Sequence, residues 1–252
     1  MIEVFILSII QGVTEFLPIS SSSHLILISE YINFDDKGLS IDISLHIGSF
    51  LAVLTYFKDD IKNFIENKEL FFKIIISSIP VMLVGFLLVK FNLIDQLRNI
   101  KLIGWTTIIF GIFLFISDKM SLNKSIKKNF NLKSAIIIGF LQILSLVPGV
   151  SRSGITISTA RFLNFNRYDS AKISFFLSIP TLAAVSIFGI NNLIISENLS
   201  FSILNFASIF LSFIFSYITI KFFLKYIQKF SLNIFVIYRV TLGVILLIIS
   251  YL

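Results

Sequence analysis

Glu15-Phe16-Leu17-Pro18-Ile19-Ser20-Ser21-Ser22-Ser23-His24 and Pro148-Gly149-Val150-Ser151-Arg152-Ser153-Gly154-Ile155-Thr156 sit inside long apolar runs, and how they are read decides the fold. Proline lacks the helical N–H and biases the residue before it away from helix, so each run breaks at its middle. A carboxylate, an imidazole, a guanidinium and a row of hydroxyls are costly in hydrocarbon. Found there, they mark a functional site.

Composition fixes the solvent. Of 252 residues, 56% are hydrophobic and 14% charged, with a mean hydropathy of +0.94. Soluble domains carry about a quarter charged residues, so the chain reads as an all-α integral membrane protein forming a single membrane domain over residues 1–252. The absence of cysteine excludes disulfides, thiolate metal sites and a Cys nucleophile. The net charge of +7 is distributed in a way that argues against nucleic acid as a partner. The apolar start lacks a basic n-region and a cleavage site, and is expected to remain in the protein.

Six stretches can cross a core of roughly 30 Å at 1.5 Å per residue: 41–57, 70–90, 101–117, 170–190, 203–224 and 233–252. The broken regions 2–32 and 134–165 each form either two crossings or one re-entrant hairpin. Charge decides between them. With hairpins, fifteen Lys and Arg fall on one side and four on the other, while Arg152 and Arg239 stay within the membrane. The positive-inside rule then puts the richer side in the cytoplasm and both termini outside. The first hairpin enters from outside and the second from the cytoplasm, so residues 1–117 and 134–252 become inverted-topology repeats joined by a basic cytoplasmic linker, 118–133. Aligning Pro18 with Pro148 places Ser21 over Ser151 and Ser23 over Ser153.

Such an arrangement brings two half-helix N-termini together near the midplane, where free N–H groups and the positive dipole end favour an anion, most naturally phosphate. Arg152 adds a fork suited to phosphate oxygens. Gln11 and Glu15 share a helix face at i,i+4 spacing, and residues 20–23 and Ser151 offer capping hydroxyls. Glu15 beside an anion site needs a cation or a proton. It fits either Mg²⁺ or Ca²⁺ coordination with Gln11 or a general-base role. Ser21 is the best placed nucleophile, and a metal-bound water would serve equally.

Plainer readings stand beside these. Membrane serines usually bond a carbonyl one turn back, Glu15 and Arg152 can form a structural pair, and His46 reads as a satisfied interfacial residue. Arg239 can snorkel or help hold a ligand charge. The Phe-rich faces are lipid contacts or packing.

The two strings, together with Gln11-Gly12-Val13-Thr14 before the first and Tyr238-Arg239 near the end, resemble the signature motifs of bacterial undecaprenyl-diphosphate phosphatases of the bacitracin-resistance type. The resemblance implies a multi-pass inner-membrane enzyme that hydrolyses undecaprenyl diphosphate, with an outward-facing site and a divalent cation. Its other partners would be membrane lipids, with room left for a homodimer. It implies that Glu15 is the acidic catalytic or metal-linked residue, Ser21 the nucleophile and His24 an acid/base or phosphate contact. Ser151, Arg152 and Thr156 would bind phosphate, and the adjoining Ser20, Ser22, Ser153 and Gly154 complete the expected substrate-binding set.

Two positions depart from the family pattern. Gln11 stands where some members carry a second Glu, and Ser23 stands where Gly or Ala is common. Without the resemblance, a buried anion site between inverted repeats also describes a transporter or lipid flippase. A single ionisable cluster rather than a charged through-path favours an enzyme.

Overall fold

The two broken regions fold as helix, turn and helix. A computed structural model describes residues 2–31, 38–66, 68–93, 95–120, 124–195 and 203–252. The first broken region gives α1 (Ile2–Thr14), a turn, and α2 (Ser21–Tyr31), followed by α3 (Gly38–Tyr56), α4 (Lys58–Glu66), α5 (Lys68–Lys90) and α6 (Ile100–Asp118). A short α7 (Ile126–Asn129) precedes the second region, α8 (Leu132–Gln142), a 3-10 turn and α9 (Arg152–Phe162), and then α10 (Arg167–Ile195), α11 (Ile203–Ile227) and α12 (Asn233–Tyr251). Among the described residues there is no strand, only an isolated bridge between Lys124 and Phe165.

Among the described residues, five helices are long and apolar enough to cross a bilayer: α5, α6, α10, α11 and α12. The sixth expected crossing is α3, 19 residues long like α6 and α12. It carries Asp42, Ser44, His46 and Ser49 and packs mainly against α11 and α10. The chain is a multi-pass membrane protein, and large apolar side chains such as Phe72, Leu83, Phe140, Phe206 and Phe210 cover its outer surface. An aqueous protein leaves few such patches open.

Between helices the packing is close and partly polar, as expected where lipid offers no hydrophobic drive to associate. A methyl group added at Gly12 of α1 would lie 2.5 Å from the Phe215 Cβ of α11, and one at Gly139 of α8 would lie 2.5 Å from the Ser77 carbonyl oxygen of α5. Ser49 lies 3.2 Å from Ser212 and 3.0 Å from Ser216, and Ser212 donates to the Leu45 carbonyl at 2.7 Å, tying α3 to α11. The linker is also anchored. Asp118 accepts both Nε (2.6 Å) and Nη2 (3.0 Å) of Arg167 and the Leu232 N–H (3.0 Å), which joins the ends of α6, α10 and α12.

An aromatic cluster holds the first hairpin's turn in place. Phe16 is fully buried and meets Phe175 edge-on at 5.3 Å, while Phe57 packs on Phe176 at 5.1 Å. Edge-to-face pairs of this kind fix orientation as well as burying area. Glu15, the neighbour of Phe16, is therefore presented from a rigid turn.

Candidate active site

Both turns break the helix with the same backbone device. Ser20 has φ +73° and Ser151 has φ +69°, and a new helix begins at the next residue in each case. Positive φ is uncommon for residues other than glycine and costs about 1–3 kcal/mol, and it persists where surrounding contacts enforce it. Superposing the two breaks gives a correspondence one residue away from the one read from the prolines. Ser20 matches Ser151, Pro18 matches Gly149, and Gln11 matches Gln142. Gly149 itself has φ +92° and lies so close to α6 that an added methyl would strike the Thr106 hydroxyl.

Arg239 of α12 enforces these turns. It is fully buried and donates to four backbone carbonyls, those of Thr107 (3.3 Å), Pro18 (3.2 Å), Gly149 (2.7 Å) and Val150 (3.1 Å). Pro18 and Gly149 occupy matching places in the two turns, so one guanidinium clamps both. Of the two readings open for Arg239, snorkelling does not occur. Its five N–H donors are the only side-chain set able to saturate so many carbonyls at once.

Around this clamp the ionisable residues converge. Arg152 Nη2 lies 2.6 Å from Glu15 Oε1, with side chains only 15% and 7% exposed. The other carboxylate oxygen, Oε2, accepts the Ser21 hydroxyl at 2.7 Å and the Gln11 amide at 3.2 Å. The same Gln11 amide nitrogen is 3.0 Å from His46 Nδ1, which therefore accepts. Gln11 Oε1 is buried without a hydrogen-bond partner. His46 thus belongs to the cluster, contrary to its reading as an interfacial residue. A lone histidine amid apolar neighbours gave no signal for this, because its partner comes from α1.

His24 is held differently. Its Nδ1 lies 2.7 Å from the Ser20 carbonyl, an acceptor only, so that nitrogen carries the proton. Its Nε2 is 2.5 Å from the Tyr238 hydroxyl, and the rings stack at 5.8 Å. His24 accordingly presents a lone pair toward Tyr238 rather than toward Glu15. Sequence reading assigned Tyr238 no role.

The remaining candidates divide. Ser22 is exposed, with its hydroxyl 3.3 Å from that of the buried Ser20, which also lies 3.0 Å from Ser23. Ser151 caps α9 by accepting the Gly154 N–H at 3.1 Å. Ser153 donates to the Leu17 carbonyl at 2.7 Å and ties one hairpin to the other. Thr156 donates within α9 and approaches the Ser174 hydroxyl of α10 at 2.7 Å. Gly154 makes room for Arg239, since a methyl there would lie 2.8 Å from Nη1. The structure thus gives the hydroxyls of Ser151, Ser153 and Thr156 protein partners instead of leaving them free for a ligand.

Among the described residues, no three His, Asp or Glu side chains gather into a metal cage. The Glu15 carboxylate, the unpartnered Gln11 Oε1 and the Ser21 hydroxyl are hard oxygen donors of the type that Mg²⁺ or Ca²⁺ takes.

Residues 4–245 match the family of the bacitracin resistance protein BacA. The chain is 49% identical over 251 residues to an undecaprenyl-diphosphatase of Pelagibacter ubique, covering 99% of this chain and 98% of the relative. Proteins of the same name from Hahella chejuensis and Jannaschia sp. are 40% and 37% identical, with at least 97% of each chain covered.

Proposed function

The chain belongs to the BacA family of bacitracin resistance proteins, and from that premise we propose that it hydrolyses undecaprenyl diphosphate to undecaprenyl phosphate and inorganic phosphate. This returns the lipid carrier to cell-envelope synthesis and lowers the amount of the diphosphate that bacitracin sequesters. The observation that carries the reading is the Glu15, Ser21 and Arg152 constellation, a nucleophile and base within hydrogen-bond reach beside a guanidinium.

In this reading the diphosphate draws Arg152 from Glu15. Arg152 turns its fork to the terminal phosphate oxygens, and Glu15, now unpaired, takes the Ser21 proton. Ser21 Oγ bonds to the terminal phosphorus as the bond to the bridging oxygen breaks, and undecaprenyl phosphate departs with that electron pair. Water, deprotonated by a base at the same site, then cleaves the phosphoserine and releases phosphate. Placement and charge neutralisation do most of the work in phosphoryl transfer. Gln11 and Glu15 would hold a divalent cation, which when bound neutralises charge on the diphosphate. His24, poised by Tyr238, serves as the acid/base or phosphate contact on the α2 side. Ser20 and Ser22 line the approach, while Ser151, Ser153, Gly154 and Thr156 shape the site from behind.

We place the site open to the outer face of the bacterial inner membrane, as the family resemblance implies, with both termini on that side by the fifteen-to-four split of basic residues. The two halves, 1–117 and 134–252, are read as inverted repeats. In support, α1 packs on α11 as α8 packs on α5, and both turns carry the same positive-φ break. The test is phosphate release from a C55 polyprenyl diphosphate by purified protein, with and without chelator. Release dependent on a divalent cation is expected. Binding without release, with transport of the intact lipid in proteoliposomes, would instead favour the transporter.

A further inference from the structure

A cavity of about 860 Å³ opens at the lysine-rich end of the molecule, walled by α4, α5, α7 and α10 and containing none of the residues assigned above to hydrolysis. Ligand pockets typically measure about 300–1,000 Å³, so the space suits a small head group and the start of a chain.

Five lysines line it: Lys73, Lys124, Lys127, Lys128 and Lys172. The carboxylates present are already engaged. Glu69 holds Lys73 at 2.6 Å, Asp60 holds Lys172 at 2.7 Å, and Asp169 accepts the Ile126 N–H at 3.2 Å and the Asn166 amide at 2.8 Å. Lys124, Lys127 and Lys128 have no carboxylate partner among the described residues. Leu70, Phe130 and Phe176 also border it, the two phenylalanines belonging to the buried core. The positive-inside rule accounts for lysines at this membrane edge. It does not account for their convergence on one cavity.

We propose that this cavity binds a phosphate group, with the anion on Lys124, Lys127 and Lys128. Lysine binds phosphate as a point charge and needs no fixed fork, which suits side chains on the short α7 and the segment before it. The cavity and the catalytic cluster share a wall but no residue. On α10, Lys172 and Phe176 face the cavity, whereas the Ser174 carbonyl and hydroxyl approach Arg152 (3.5 Å) and Thr156 (2.7 Å). The inference therefore stands apart from the hydrolytic reading.

The test compares the wild-type protein, Lys127→Gln/Lys128→Gln, Lys124→Gln and the control Lys221→Gln/Lys225→Gln. The control removes two charges from exposed positions outside the cavity. One arm titrates dioleoyl phosphatidate by native mass spectrometry in detergent, with phosphatidylcholine as reference, and the other titrates inorganic phosphate by calorimetry. Saturable binding that weakens tenfold or more in the cavity variants and is unchanged in the control is expected. Its appearance with phosphatidate alone assigns a lipid phosphate, and its appearance with inorganic phosphate assigns the free ion. Equal binding in wild type and both cavity variants, or an equal loss in the control, overturns the proposal.

Discussion

Glu15 and Arg152 stand 137 residues apart in the chain and meet at 2.6 Å, each delivered by the turn of a different broken helix pair. Neither half of the protein contains the site alone. Removing one partner of a buried ion pair leaves an uncompensated charge and typically costs about 3–5 kcal/mol. Variants here must therefore be judged by stability as well as by turnover.

Arg239 holds both turns, so its loss should act on stability and activity together. Arg239→Lys keeps a charge but offers three donors where the guanidinium has five, leaving buried carbonyls unpaired at about 1–3 kcal/mol each. A lower unfolding temperature in detergent is expected, with hydrolysis reduced about a hundredfold or more. Wild-type stability in Arg239→Ala would remove the clamp from the account.

Tyr238→Phe deletes only the hydroxyl facing His24 Nε2. We expect an unchanged fold and a turnover lower by about 10²-fold, at the low end of general acid–base effects. The same loss should appear in His24→Gln, and the double variant should be no worse than either single one. Additive losses in that cycle would mean that the two side chains act independently.

Ser21 and Ser22 are neighbours with different surroundings. Ser21 bonds Glu15, whereas Ser22 reaches only Ser20. Ser21→Ala should abolish release and Ser22→Ala should reduce it modestly, and acid quench of the wild-type reaction should trap phosphate on Ser21 by mass spectrometry. Substantial turnover in Ser21→Ala would transfer the attack to water.

Gln11 supplies a buried oxygen with no partner. Chelation should stop hydrolysis, and Gln11→Ala should raise the concentration of divalent cation needed for half-maximal rate about 10–100-fold with the fold preserved. Gln11→Glu should lower it. An unchanged cation requirement in both variants would remove Gln11 from the cation site.

Much of this was legible in the chain itself. Pro18 and the Pro148-Gly149 pair announced both helix breaks, and Glu15, Ser21 and Arg152 were recognisable because charge and hydroxyl stand out against hydrocarbon. What stayed hidden was contact between distant elements. Nothing local says that His46 on α3 meets Gln11 on α1, or that Arg239 is consumed by carbonyls rather than by a ligand or the interface. The one-residue difference between the proline alignment and the backbone breaks has a similar origin. Prolines mark where a helix cannot continue, but the equivalent positions were set by the φ of Ser20 and Ser151, which depends on what clamps the turn.

The most direct measurement is phosphate release from undecaprenyl diphosphate by Glu15→Gln, Arg152→Lys and their double variant, each purified and shown to be folded. The account predicts losses of about 10²–10⁴-fold in both single variants, with the double variant far better than the product of the two, because the residues act as one unit. Near-normal release in either single variant, or fully multiplicative losses, would contradict it.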